Sequence, residues 1–209
     1  MIINENNLGF AKANNSGAKS AKGDVLFFLN SDTLLTQDIL PAIEKCFNQE
    51  KSLGALSPKL MSSENIQFND AYGKFPSLSS LVSTNLSGKK YFQLDENIEL
   101  SEVDWISGAA LVMRSDVFEK IGGWDGNFFL YFEDTDLCWR IKDAGYKIAV
   151  INSISLIHLC GKSISSDKIR RRHYFKAQDY FFKKHYGIFI SILMRMIRCP
   201  YKLKVLYIN

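Results

Sequence analysis

Three carboxylates, Glu133, Asp134 and Asp136, lie between the aromatic run Phe128-Phe129-Leu130-Tyr131-Phe132 and the segment Leu137-Cys138-Trp139-Arg140. Acids set against an apolar wall are costly unless they pair, bind a metal or move a proton, so this stretch is the first place to look for chemistry. Asp134 has two readings. It is the N-cap of a helix whose buried stripe is Leu137, Ile141 and Ala144, or it is a general base raised toward neutrality by its aromatic surroundings. The two are compatible for neighbouring carboxylates, one capping and one reacting. Asp136 reads as a first-turn helix residue with a structural role.

Two residues elsewhere could join them. Asp32 follows the apolar run Val25-Leu26-Phe27-Phe28-Leu29, read as a buried parallel strand, and so stands at the carboxyl end where open α/β sheets bind ligands. A carboxylate there can hold Mg²⁺ or Mn²⁺ against nucleotide phosphates, or it is simply the turn or capping residue of Ser31-Asp32-Thr33. His158 lies in the apolar segment from Ile154 to Leu159, as a hydrogen-bonded core histidine or as a metal ligand. Asp32, Glu133, Asp134 and His158 together would give one metal donors from several elements.

The elements that must position these groups alternate. A helix is expected from Leu8 to Lys22, with Gly23 as its stop, and a second should start between Thr36 and Asp38, with Pro41 in its first turn. Leu53 to Ser57 is a weaker strand candidate, and Met61 to Leu100 reads as a long surface segment. Trp105 to Arg114 is strand-like, and Ser115 can cap a helix from Asp116 to Ile121. Asp134 or Thr135 can cap the next helix, which Gly145 ends, and Tyr146 to Ile151 is a strand. After Ser163 a long helical pattern puts Tyr174, Ala177, Phe181 and His185 on one face until Gly187 breaks it. Such alternation implies an α/β layered fold with a mostly parallel sheet flanked by helices.

The chain has 209 residues, 46% of them hydrophobic, enough for one domain with a sizeable core. Its cysteines, Cys46, Cys138, Cys160 and Cys199, have no ligand spacing and read as reduced, mostly buried thiols of a cytoplasmic protein. Neither a signal peptide nor an apolar run of about 18 residues is present, which argues against export and a full membrane span. The net charge of +4 is uneven. From Lys162 onward 12 Lys or Arg face 2 acids, leaving 14 against 20 before it, so the body is acidic by 6 and the tail basic by 10. The basic tail is a solvated helical appendage or an amphipathic attachment to an anionic membrane surface. Nucleic acid is a poor partner for an acidic body with no known binding motif.

Three stretches occur in order: "NNLGFAKANNSGAKSAKGDVLFFLNSDTLL", "WISGAALVMRSDVFEKIGGWDGNFFLYFEDTDLCWRIKDAGYKIAV" and "HLCGKS". Together they closely resemble the inverting family 2 glycosyltransferases of the GT-A fold, in particular the rhamnosyltransferase-like branch that builds bacterial surface polysaccharides. The resemblance covers nearly all of residues 4 to 186. It implies a nucleotide-sugar donor, UDP- or dTDP-linked, a divalent metal, Mg or Mn, and direct displacement at the anomeric carbon by a saccharide or lipid-linked acceptor. On the same footing Asp32 and His158 are metal ligands, and Asn30 replaces the acidic first residue of the family's DXD motif. Asp134 is the catalytic base and Glu133 positions the acceptor or the base. Gly9, Trp105, Ser107 and Gly108 belong to the donor and acceptor cleft. The protein is expected in the cytoplasm, peripheral on the inner face of the cell membrane.

Relatives of this type begin with a strand, a helix and a second strand that hold the base and ribose of the donor. Those segments have no counterpart here, so the domain from 1 to 186 is expected to be an N-terminally truncated GT-A domain, followed by the basic tail from 187 to 209. Two expectations follow: an active transferase, or a relative that binds donor weakly and serves as a binding or scaffold module.

Overall fold

The computed structural model describes residues 2–80, 91–159 and 167–203. The elements are α1 (Phe10–Ala18), β1 (Val25–Leu29), β2 (Thr33–Leu34), α2 (Leu40–Gln49), β3 (Leu53–Met61), β4 (Tyr72–Gly73), β5 (Leu100–Val103), β6 (Trp105–Ile106) and β7 (Ala110–Arg114). They continue with α3 (Ser115–Lys120), α4 (Glu133–Asp143), β8 (Lys147–His158) and α5 (Asp167–Leu203). The main sheet runs β1-β7-β3-β8-β2, with β5 also paired to β8, and β4 and β6 form a small second sheet.

The α/β architecture is the expected one, built on the long parallel pair β3 and β8, which stay in register from Leu53↔Lys147 to Met61↔Ile157 with two shifts. The strands around this pair are antiparallel. That corrects the reading of Val25 to Leu29, which is a strand but pairs antiparallel with β7. Only Leu26 and Phe28 are buried within it, while Val25 and Leu29 are exposed. A five-residue apolar run looks the same whether both faces are covered or one is, so its sequence could not settle the direction.

Other boundaries moved for identifiable reasons. β3 continues through Pro58 to Met61, with a register shift between Pro58 and Lys59 that accommodates the residue lacking a donor. Tyr146 to Ile151 and the apolar segment after it are one strand, β8. The stretch from Met61 to Leu100 carries the buried residues Ala71 and Tyr72, with 81–90 outside the described residues. Ser115 opens α3 instead of capping it. Residues 160–166, and with them most of "HLCGKS", also lie outside the described residues, as does the tail beyond 203.

One core fills the space between sheet and helices, with Ile43, Cys46 and Phe47 from α2, Leu111 and Met113 from β7, and Leu137 and Ile141 from α4. A second cluster joins α5, through Ala177, Phe181, Phe182 and Met194, to Phe128 and Phe132 ahead of α4. Aromatic edges fix α1 over the sheet: Trp124 meets Phe10 and Phe28, each at a centroid distance of 5.1 Å. Asn15 clamps the Trp124 backbone from both sides, donating to its carbonyl at 2.8 Å and accepting from its amide at 2.9 Å.

Arg114, the last residue of β7, closes a weak point. Its guanidinium donates to the carbonyls of Leu53 (2.9 Å), Phe47 and Glu50, so it satisfies groups left open at the end of α2, and it stacks 5.0 Å above the Phe47 ring. Replacing it by methionine keeps the bulk and orphans those carbonyls. Arg114→Met is expected to lower unfolding free energy by about 2 kcal/mol, read as a lower urea midpoint at unchanged m-value.

Candidate active site

The run Trp105 to Arg114 does not form one strand. It breaks at Ser107-Gly108-Ala109, between β6 and β7, and the three backbone units there reach three different parts of the chain. The Ser107 amide donates to the Ala71 carbonyl at 2.7 Å, and the Ala109 carbonyl accepts from the Asn30 amide at 2.9 Å. Between them the Gly108 amide donates to Asp134 Oδ2 at 3.1 Å. Gly108 also leaves room for α1, because a Cβ there would sit 2.9 Å from the Phe10 ring. Gly9, with φ 76°, plays a similar part at the start of α1: a Cβ would fall 2.7 Å from the Phe129 carbonyl, to which the Phe10 amide donates.

The helix α4 begins at Glu133, directly after Tyr131 (φ 71°) and Phe132 (φ 65°) in the left-handed region. Two consecutive aromatic residues in that conformation are strained, and the surrounding aromatic cluster must hold them there. No side chain caps the helix, so Asp134 is not the N-cap that one sequence reading allowed; it lies in the first turn. Its carboxylate accepts from Gly108 N–H, from Thr135 N–H at 2.7 Å and from the Thr135 hydroxyl at 3.3 Å, and the residue as a whole is half-buried. Glu133 is buried, and its Oε2 has no hydrogen-bond partner.

This asymmetry decides where a proton sits. Burial, and then the neighbouring Asp134 charge, push Glu133 up to about 8. Burial also raises Asp134, against which the Gly108 and Thr135 donors work. Two carboxylates this close share a titration, and the one with donors keeps the charge. Of the two, Asp134 therefore gives up its proton first, and Glu133 holds its own longer.

Asp136 lies two residues on, about 200° around the helix, and faces α5 instead. It is fully buried and pairs with Arg140 (2.8 Å), Lys184 (2.6 Å) and His185 (2.7 Å). Burial opposes its charge, but His185, Arg140 and Lys184 outweigh that and hold it below the usual carboxylate range. Lys184 also reaches Asp125 at 2.8 Å, which burial would raise but Lys184 and the Asn127 amide hold at about 2. Sequence reasoning did not single out Lys184, Asn15 or Arg114. Their signal was a polar side chain where helical or strand periodicity calls for an apolar one.

On the other side of the joint, β2 pairs with the end of β8, bringing Thr33 opposite His158. Asp32 Oδ1 lies 3.3 Å from His158 Nε2, and the Asp32 carbonyl accepts from the Leu159 amide at 2.8 Å. Thr33 turns back on Asn30, with amide and hydroxyl both directed at the Asn30 carbonyl. The two expected metal ligands thus meet, as an oxygen and a nitrogen donor. Glu133 and Asp134 do not complete a four-residue set with them: among the described residues no group of three or more His, Cys, Asp or Glu could hold a metal. Asp134 is engaged by Gly108 and Thr135, and Glu133 is buried behind it. A pair nevertheless fits a hard cation that takes one or two protein donors and fills its remaining positions with phosphate oxygens and water. Trp105 is half-buried beside Gly73, and the Ser107 hydroxyl accepts from the Ala109 amide. A concavity of about 450 Å³ lined by α1, α3 and Gly122-Gly123 contains none of these groups.

The profile of the family described as Glycosyltransferase like family 2 matches residues 1–176. Rhamnosyltransferase WbbL of Escherichia coli is 28% identical over 143 residues, 67% of this chain and 54% of that protein. N-acetylglucosaminyl-diphospho-decaprenol L-rhamnosyltransferase of Mycobacterium tuberculosis is 36% identical over 74 residues, 34% of this chain and 24% of that one. The chain therefore spans about half the length of the first relative and a quarter of the second. Among solved structures, mannosyltransferase PcManGT from Pyrobaculum calidifontis in complex with GDP-Man and Mn2+ aligns over 95% of this chain and 52% of its own, with TM-score 0.55 and 14% identity. GalNAc-T7 with UDP, GalNAc and Mn2+ aligns over 86% of this chain and 37% of its own, with TM-score 0.54 and 16% identity. At such identities the likeness is one of fold.

The buried acid has a consequence for stability. Glu133 ionises at about 8 when folded and near its ordinary 4.5 when unfolded. Between these values unfolding releases a proton, so stability falls as pH rises from about 4.5 to about 8 and levels off above. Asp134, also raised by burial, acts in the same direction. Urea midpoints measured across this range should decline for the native chain and decline less for Glu133→Gln.

Proposed function

The chain belongs to glycosyltransferase-like family 2 and has the GT-A fold, and from that premise we propose that it moves a sugar from a nucleotide-diphosphate donor, UDP- or dTDP-linked, to an acceptor hydroxyl with inversion at the anomeric carbon. The names of two relatives direct attention to rhamnosyl donors, and that of the mycobacterial one to a diphospho-decaprenol-linked acceptor.

The observation that carries this reading is the unequal carboxylate pair. Asp134 stays charged at the end of the Gly108 amide bond and accepts the acceptor's hydroxyl proton while that oxygen bonds to the anomeric carbon. The bond from that carbon to the diphosphate breaks, and its electrons leave with the diphosphate. Neutral Glu133, buried beside Asp134, adds no second negative charge and backs the base from the interior. Asp32 and His158 would hold a divalent ion, Mg or Mn, and such an ion would supply positive charge to offset that of the diphosphate leaving group. Asn30, Gly9, Trp105, Ser107 and Gly108 line the donor side, with Asn30 and Gly108 also fixing the distance between the two halves of the site.

Asp134→Asn should lower turnover by about 10²- to 10⁴-fold while leaving nucleotide affinity unchanged, measured by product formation beside calorimetric titration with UDP and dTDP in the presence of Mn²⁺. Loss of affinity would make Asp134 structural or a ligand. Asp32→Ala should instead abolish the Mn²⁺-dependent part of nucleotide binding. Absence of heat with either nucleotide, at concentrations up to about millimolar, would contradict the transferase reading for this chain.

A further inference from the structure

Beyond Gly187, whose φ of 83° and ψ of 171° interrupt the helix, α5 has one buried face and, opposite it, an exposed apolar one. Its buried face consists of Ser191, Met194 and Arg198, which about 100° of rotation per residue gathers into one narrow arc. Met194 belongs to the aromatic cluster around Phe181, and Arg198 is anchored to Asp179 at 2.6 Å and to Gln178. Directly opposite stand Phe189 and Met196, 84% and 61% exposed, flanked by exposed Ile188, Ile192 and Leu193. A helix already packed on one side does not need a second apolar face for folding. A contiguous exposed patch of this kind marks an interaction site.

We infer that this face seats the protein on the surface of an anionic lipid bilayer. Charge selects this occupant over a second copy of the chain. The segment from Lys162 onward is basic by 10, and Arg171, Arg172, Lys176 and Lys183 are exposed on the same helix; two copies apposed there would bring like charges together. Phe, Ile, Leu and Met exposed on one face of a segment that is basic as a whole are the composition of a helix lying in the headgroup region. No described helix is long and apolar enough to cross a membrane, so the seating is superficial. The half of α5 before Gly187 is tied to α4 through Asp136, Lys184 and His185, and thus holds the docked segment in a fixed relation to Glu133 and Asp134. The purpose of such seating, delivery of the site to a lipid-linked acceptor, rests on the transferase reading; the binding itself does not.

The test is co-sedimentation of the full chain with vesicles of phosphatidylcholine alone or mixed with phosphatidylglycerol. Binding should require phosphatidylglycerol, weaken with added salt, and fall at least about tenfold in Phe189→Asp/Met196→Asp, while Asp134→Asn binds like the native chain. Brominated lipid should quench the added fluorescence of Phe189→Trp, which reads the same contact in a variant that keeps the apolar side chain. Binding independent of phosphatidylglycerol, indifference to the double substitution in protein with native circular dichroism, or absence of quenching would overturn the inference. So would a native dimer in sedimentation velocity that Phe189→Asp separates. A chain that binds vesicles but takes no nucleotide would sink the transferase reading and leave this one standing.

Discussion

A single amide, that of Gly108, holds the candidate site together. It donates to Asp134, while the next residue accepts from Asn30 and the space above the glycine is filled by Phe10. The strand Trp105 to Arg114 must break for this to happen, because an amide used in a sheet ladder could not point at a carboxylate on a helix. Glycine is the residue that permits both the break and the close approach of α1. The Asp134 side of the site and the segment leading to Asp32 are therefore joined through two adjacent backbone groups, the Gly108 amide and the Ala109 carbonyl.

The acidic stretch shows how one helix turn separates chemistry from architecture. At about 100° per residue, Asp134 and Asp136 project to opposite sides. One meets the Gly108 loop, on a residue that is half-buried as a whole. The other is buried among Arg140, Lys184 and His185, without which its charge would lie uncompensated in the interior. Asp136 thereby fastens α5 to α4, and the aromatic cluster of Phe128, Phe132, Phe181 and Phe182 closes around the strained Tyr131-Phe132 turn. Strain in front of Glu133 and Asp134 is thus offset by packing behind them.

Much of this was legible before any coordinates. The alternation of apolar runs and amphipathic stretches implied the α/β class, and the pairing of Asp32 with His158 was what the family resemblance implied. The helical face carrying His185 was visible in the spacing of Tyr174, Ala177 and Phe181, but its partner was not, since nothing local in a sequence names a tertiary ion pair. The direction of β1 was hidden because five apolar residues fit either one buried face or two. The break at Ser107-Gly108-Ala109 was hidden because the residues around it continue the strand pattern on both sides. Asn15 and Arg114 escaped notice for a related reason: each satisfies backbone groups that only the folded chain exposes to it.

The account turns on Asp134 being the charged member of the pair and Glu133 the protonated one. Carboxyl ¹³C chemical shifts of the two residues, followed through a pH titration and assigned with Glu133→Gln and Asp134→Asn, observe this directly. The account predicts that the Glu133 carboxyl is neutral at pH 7 and titrates near 8, after Asp134 has lost its proton. An ionised Glu133 beside a protonated Asp134 at pH 7 would contradict it, because the group held by Gly108 would then have no capacity to accept a proton.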